Sequence, residues 1–268
     1  MLNGHRWVGF AAATAVALFS VPTLANVQTW TFNSATQSFN NTNFGNTLSL
    51  TSSDGVHLTV TGWSDTNDIS GDDTIETAKL IWAQTAALGV QNRDETTTSP
   101  NHSIDSVSSD PDGEFDMLLL EFDTAVSLSG IDLAWALGGN AVDTVDVSIL
   151  AWDGAGSATL LGSTWANVLD TNGGGYDSVG NYSNVGLSYY TVNPANIEST
   201  KWLIGVYNPV FGVGGDAGDD GMKLASITTS TPNPDEPPGE VPVPGTVALV
   251  LAGLLALRAR RLPKVTAV

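Results

Sequence analysis

The sequence predicts an all-β protein: an antiparallel, jelly-roll-like β-sandwich, preceded by a signal peptide and followed by a short transmembrane helix. Apolar and polar residues alternate in several short segments, which is the period of half-buried strands. Polar, Gly-rich pieces separate these segments, and no internal repeat is present. Many short strands joined by polar turns are typical of sandwiches and jelly rolls.

The strand pattern is clearest in two segments. In residues 56–63, VHLTVTGW, Val56, Leu58 and Val60 alternate with polar side chains, and residues 145–152, VDVSILAW, repeat the alternation. Further runs rich in branched and aromatic residues are VQTWTFN (27–33), FDMLLLEF (115–122), GIDLAW (130–135), WLIGVY (202–207) and GMKLASITT (221–229).

Turn-rich pieces lie between these runs. They are NTNFGN (41–46), SDTNDISGDD (64–73), NGGGYDSVGNYSN (172–184) and GVGGDAGDDG (212–221). One stretch, residues 73–89, comes closest to helical amphipathicity, but a strand at 78–83 explains its pattern equally well. Both alternatives stay open at the level of sequence.

The first 25 residues have the layout of a secretory signal peptide. A basic start at His5 and Arg6 precedes an apolar run from Trp7 to Phe19, and Thr23-Leu24-Ala25 forms a small-x-small cleavage site. We therefore expect cleavage after Ala25. The alternative, an uncleaved anchor, is disfavoured because the run is short.

The remaining chain is strongly acidic and lacks cysteine. All 28 acidic residues lie between Asp54 and Glu240, against four Lys and Arg residues, a net charge of −24. Such a surface repels phosphate backbones and excludes nucleic acid as a partner, whereas divalent cations and neutral polymers remain compatible. Without cysteine the fold depends on an ordinary core at residues 26–229.

The C-terminal region combines a spacer, an apolar stretch and basic residues. Residues 230–240 carry four prolines and form an extended spacer. The apolar stretch 246–257 reaches about 18 Å as a helix, short of the ~30 Å of bilayer hydrocarbon. The hydropathy of this stretch therefore fits a permanent membrane anchor, but its length fits one poorly. The other alternative is a helix packed on the domain.

The tail resembles the PEP-CTERM sorting signal, which consists of a Pro-containing motif, a short span and terminal arginines. Residues 241–264 hold VPVP, a span at 245–257 and a basic cluster at 258–264. Val243 stands where the family usually has glutamate. The matching residues are Val241, Pro242, Val243, Pro244, Arg258, Arg260 and Arg261.

The body resembles a family of cysteine-free exosortase-dependent surface proteins. The matching features are Asn101-His102-Ser103-Ile104-Asp105 and the strand Asp116 to Phe122. Together the resemblances imply export by the Sec machinery and signal peptidase in a Gram-negative bacterium. They also imply transient anchoring in the inner membrane, trimming by an exosortase, and placement at the cell surface or in an exopolysaccharide or biofilm matrix. They imply no reaction, so we expect a structural or adhesive protein and not an enzyme.

Two loops have the chemistry of calcium sites, because hard oxygen ligands close together suit Ca²⁺. The alternative is that these acids are solvated turn residues. The candidate ligands are Asp110, Asp112 and Asp116 in DPDGEFD, and Asp216, Asp219 and Asp220 in GDAGDDG.

Aromatic residues predict a second function, a lectin-like carbohydrate-binding module that stacks loop aromatics on sugars, either with Ca²⁺ as a cofactor or without it. Trp165, Tyr176 and Tyr182 lie in Gly-rich or loop sequence and are the candidates for a ligand face. The tryptophans on strand runs should instead fill the core; they are Trp63, Trp135, Trp152 and Trp202.

A polysaccharide-active enzyme is the third possibility, since such enzymes use paired carboxylates. Nothing in the spacing separates an acid from a nucleophile, and we expect the strand acids to face water. His57 and His102 lack the sequence context of a catalytic base, and no G-x-S-x-G occurs. The strand acids are Glu121, Asp132, Asp146 and Asp153.

Overall fold

The structure, a computed structural model, describes residues 25–65, 74–83, 86–93, 102–106, 114–138, 141–216 and 218–231. These residues belong to one compact unit, Ala25–Pro232. The predicted signal peptide up to residue 24, the spacer from residue 232 and the whole sorting signal lie outside the described residues. Within the described part, no helix is long and apolar enough to span a membrane.

Fourteen strands account for most of the described residues. The helical elements are one turn of α-helix, α1 (Trp165–Val168), and two 3-10 helices, Asp170–Asn172 and Pro209–Phe211. The strands are β1 (Asn26–Thr31), β2 (Thr47–Thr51), β3 (His57–Asp65), β4 (Ile75–Thr77), β5 (Lys79–Trp82), β6 (Leu88–Gln91), β7 (Ile104–Asp105), β8 (Asp116–Gly138), β9 (Ala141–Val142), β10 (Thr144–Trp152), β11 (Tyr176–Gly186), β12 (Tyr190–Thr191), β13 (Glu198–Val206) and β14 (Asp220–Thr231).

The strands form one continuous antiparallel sheet, which confirms the predicted all-β class. The order along its main path is β11-β10-β13-β8-β14-β6-β5. The remaining strands pair off this path, with β2 and β4 on β3, and β1 and β7 on β14.

Strand β8 joins two segments that the sequence suggested were separate strands. Its first half pairs with β3 and β13, with Leu120 opposite both Val60 and Trp202. Its second half pairs with β14, with Ile131 opposite Ile227. The connecting residues 123–127, DTAVS, contain neither Gly nor Pro, so nothing in them ends the strand.

The ambiguous stretch 73–89 forms strands β4, β5 and β6, and the helical alternative is wrong. Ile75 and Leu80 are fully buried. Asn46, also fully buried, acts as a partner strand would: its Oδ1 accepts from Leu80 N at 2.7 Å and its Nδ2 donates to Leu80 O at 2.9 Å. Asn46 and Leu80 are 34 positions apart in the chain, which explains why local sequence could not distinguish a helix from a strand here.

Part of the Gly-rich stretch 172–184 lies in strand β11, although the sequence predicted a turn there. The strand pairs with β10 from Trp152↔Tyr176 to Thr144↔Gly186, with two register irregularities. Its polar and glycine residues lie between two buried side chains, Tyr176 and Val185. β11 therefore forms a strand because β10 pairs with it, although its composition disfavours a strand.

One hydrophobic cluster contains side chains from both halves of β8 and their neighbours. Trp30 on β1 packs edge-on against Phe122 on β8 with ring centroids 5.7 Å apart. Of the four strand tryptophans predicted to be in the core, Trp202 is fully buried. Trp63 and Trp152 are partly exposed but pack against the cluster, and Trp135 is partly exposed.

Candidate functional site

The Gly-rich loop 212–219 is held against the start of β10 by Asp146. The Asp146 carboxylate accepts from Asn184 N at 2.7 Å and from Asp216 N at 3.1 Å. The loop comes so close that a Cβ on Gly215 would lie 2.6 Å from Asp146 Oδ2. Asp146 is only 8% exposed, so the expectation that it faces water is wrong.

Asp220, the first residue of β14, lies beneath this loop. Its Oδ1 accepts from Asp146 N at 2.9 Å, and its main-chain O accepts from Ser106 N at 2.9 Å. The residue is 1% exposed, and Oδ2 has no hydrogen-bond partner among the described residues. This bond joins Asp146, near the start of β10, to Asp220, at the start of β14.

Burial perturbs both acids at the end of the loop. It raises the pKa of Asp220 to about 7; the Asp146 N–H bond opposes this rise, and the charges of Asp146, Asp219 and Asp216 add to it. Burial also raises the pKa of Asp219, followed by the charges of Asp216 and Asp146. The four carboxylates thus interact, and a proton or a cation at this position would lower their mutual repulsion.

Of the predicted calcium ligands, the structure brings Asp219 and Asp220 together beside Asp146. Asp216 is exposed at the rim and contributes its N–H. Asp146 is not recognisable from the sequence as a metal ligand, because an alternating strand pattern places it on the polar face. The signal in the sequence for the other acids was the adjacent pair Asp219 and Asp220 within a Gly-rich segment.

The other predicted loop lies mostly outside the described residues, which include only one of its three candidate ligands, Asp116. Asp116 is 1% exposed, and its Oδ2 accepts from Asp105 N at 3.4 Å. Asp105 in turn pairs with Gly221, next to Asp220. The short strand β7 therefore connects the two predicted loops. Among the described residues, no three acidic or histidine side chains are arranged to hold a metal ion.

The proposed aromatic ligand face is not formed as the sequence suggested. Trp165 is 2% exposed and Tyr176 is fully buried. Thr164 caps helix α1 through its bond from Asn167 N, and Trp165 packs edge-on against Phe211 at 6.0 Å. Because these rings face the core, neither of them can stack on a ligand from solution.

The surroundings of Tyr176 and Tyr182 indicate a structural role for both side chains. Burial, with a smaller contribution from the charge of Glu121, raises the pKa of Tyr176. Tyr182 is partly buried; its Oη accepts from Asn193 N at 2.8 Å, and its ring packs against Tyr190 at 5.9 Å. Burial raises the pKa of Tyr182, and the bond from Asn193 opposes that rise.

Partly exposed tryptophans on two strands lie beside lysines instead. Lys201 Nζ lies 5.9 Å from the ring centre of Trp152 and forms an ion pair with Glu121. Lys223 Nζ lies 4.8 Å from the ring centre of Trp135. The surface of the described body therefore offers aromatic rings beside polar, charged groups.

The two histidines have different settings. His102 precedes β7, where Ser103 O accepts from Val90 N at 3.3 Å and so ties this segment to β6. His57 is exposed, and its Nδ1 lies 3.0 Å from Thr51 Oγ1.

Comparisons with known proteins found no relative. No protein family, no curated protein and no solved structure matches this chain. The acidic end of β14 is the candidate site on the strength of its geometry alone.

Proposed function

We propose that this chain is an exported, exosortase-processed protein of a cell surface or extracellular matrix, with a structural or adhesive role in an exopolysaccharide or biofilm setting. The observation that carries this is the order of signals in the sequence: a secretory leader, an acidic body, a Pro-rich spacer, VPVP, a short span and arginines. Exosortase, signal peptidase and the Sec machinery are its processing partners, and exopolysaccharide is the partner of the mature protein. The body acts without catalysis.

The described body supports this role in two ways. Its all-β core is assembled without cysteine, as an exported chain that forms no disulfides requires. The contact between Trp30 on β1 and Phe122 on β8 also supports a sandwich, in which the two halves of the continuous sheet face each other.

Intact-mass analysis of the exported protein tests the proposal. We expect a product that begins at Asn26 and lacks Arg258, Arg260 and Arg261, recovered from the cell surface or medium. A control variant with all three arginines changed to Gln should keep its apolar tail and stay in the membrane fraction. A mature product that retains Arg260, or a chain confined to the cytosol, would contradict the proposal.

The second candidate function is a carbohydrate-binding module, and Trp152 beside Lys201 and Glu121 favours it. The exposed part of this ring supplies a stacking face, and the neighbouring ion pair supplies donors and acceptors for hydroxyl groups. Glycan-array binding that is lost in Trp152→Ala and kept in Trp135→Ala would support this function. Absence of binding by the wild-type protein would leave only the structural role, and glycan hydrolysis lost with one carboxylate would favour an enzyme.

A further inference from the structure

Two buried oxygens at the start of β14 are without hydrogen-bond partners among the described residues. They are Asp220 Oδ2 and Ser106 Oγ, and each residue is 1% exposed. Buried polar atoms are nearly always paired, because an unmade hydrogen bond leaves the cost of desolvation uncompensated. These two atoms therefore indicate a missing partner.

The register places both oxygens on one face. Ile104 pairs with Met222 and Asp105 with Gly221, so Ser106 is the next residue opposite Asp220, and its N–H bond to Asp220 O agrees. Directly opposite residues of antiparallel strands project to the same side. On the other edge of β14, Asp220 pairs with Gly138, where a Cβ would lie 3.1 Å from Asp220 Oδ1. Oδ1, which accepts from Asp146 N, therefore lies close to the main chain of β8, and Oδ2 is the oxygen left without a partner among the described residues.

The surrounding charge is negative and has no counter-charge in the described part of the chain. Asp219 Oδ1 is a third buried oxygen without a partner, and Asp146 and Asp216 lie close enough to perturb it. The ion pairs that the described residues form are Arg93–Glu76 and Lys201–Glu121. A cation from solution would supply the positive charge that the described residues do not.

We infer that this position binds a divalent cation with the chemistry of Ca²⁺, through Asp219 Oδ1, Asp220 Oδ2 and Ser106 Oγ. Ca²⁺ takes about six to eight oxygen ligands in flexible geometry, including carboxylates, carbonyls and water. With two acidic ligands, main-chain oxygens and water complete the shell, which is consistent with the lack of three converging acidic side chains. The main-chain N–H of Asp146 holds Asp220 Oδ1 in place.

A site with so few charges is expected to be weak. Extracellular calcium modules bind with Kd values of about 0.1–1 mM. The inference deepens the second candidate function, the carbohydrate-binding module, in its calcium-dependent form. It rests only on the β body and not on the sorting signal. The mass experiment and the metal experiment can therefore fail independently.

The test is calorimetric titration of CaCl₂ into the chelator-treated, exported protein, together with its melting temperature with and without CaCl₂. We expect binding in the stated range and a higher Tm with the metal, because a ligand specific to the folded state stabilises it. Asp220→Asn and Asp219→Asn should each weaken binding about tenfold or more. In chelator, Asp220→Asn should melt no lower than wild type, since it removes an uncompensated charge.

Asp177→Asn is the matched control, because Asp177 is an exposed acid on β11. It should leave calcium binding unchanged. Absence of calcium heat with the wild-type protein, or equal losses in Asp177→Asn and Asp220→Asn, would overturn the inference. A response to MgCl₂ equal to that to CaCl₂ would overturn the calcium assignment, because Mg²⁺ demands octahedral geometry and retains its waters.

Discussion

At the scale of single residues, Asp146 joins four segments of chain. Its carboxylate holds Asn184 N and Asp216 N, its O accepts from Tyr207 N at 2.8 Å, and its N–H binds Asp220. Only the two carboxylate bonds depend on the side chain. A change at Asp146 should therefore act on β11 and on the Gly-rich loop, and leave the pairing of β10 intact.

The first prediction concerns this side chain. Asp146→Ala leaves the N–H groups of Asn184 and Asp216 without their acceptor and should lower the free energy of unfolding by about 2–4 kcal/mol. Asp146→Asn keeps one acceptor oxygen and should lose about half as much. Urea unfolding at neutral pH measures both, and equal stability of Asp146→Ala and wild type would show that the carboxylate does not anchor the loop.

The second prediction concerns pH and Asp220. Its pKa rises from 3.8 to about 7 on folding, so the folded state binds the extra proton between these values. The associated stability is complete below about pH 4 and is lost as the pH rises through 7. Urea unfolding in chelator should show this decline, and Asp220→Asn should reduce it strongly. An unchanged slope in the variant would assign the decline to other groups.

At the scale of elements, side chains and distant partners decide several strands. β5 receives one edge from β6 and the other from the Asn46 side chain. β11 is a strand because β10 pairs with it. Three of the four basic residues of the body contact aromatic rings. Arg93 lies over Phe44, Lys201 over Trp152 and Lys223 over Trp135.

The third prediction tests the Asn46 contact. Asn46→Ala removes the partner of both Leu80 N and Leu80 O in a fully buried position, and should cost about 2–4 kcal/mol of unfolding free energy. Hydrogen exchange at Leu80 should accelerate accordingly. Asn167→Ala, at an exposed helix position, is the control and should change stability by less than about 0.5 kcal/mol. Equal effects of the two variants would contradict the structural role of Asn46.

At the scale of the whole molecule, charge and core oppose each other. The body carries 28 acidic residues against four basic ones, so the negative charges on its surface repel one another. The apolar cluster that spans both halves of β8 has to outweigh this repulsion. The balance depends on ionic strength, because salt screens exposed charges beyond a Debye length of about 8 Å at 0.15 M.

The fourth prediction follows from this balance. The Tm of the chelator-treated protein should rise as NaCl increases from low ionic strength to about 0.15 M, since screening weakens the self-repulsion of the folded state. Differential scanning calorimetry measures the change. KCl should act like NaCl, whereas CaCl₂ at equal ionic strength should raise the Tm further if the site on β14 binds it. A Tm that falls with NaCl would show that net repulsion does not limit stability.

Most strands could be read from the alternation in segments such as 56–63 and 145–152, because a period of two needs only local sequence. The edge strand β11 could not, since its Gly and Asn residues signal turns. The acidic loop around Asp219 and Asp220 was visible in the sequence, but its neighbour Asp146 was not. A polar residue in an alternating strand has the same pattern whether water or another segment covers it.

The sequence by itself determined the all-β class, the acidic surface and the positions of most strands, because short-range periodicity and charge need no tertiary information. Only the tertiary structure decided that Trp165 and Tyr176 face the core and that Asp146, Asp219 and Asp220 meet at one end of β14. The physical reason is that burial and like-charge proximity arise from residues far apart in the chain. Asp146 and Asp220, for example, are 74 positions apart.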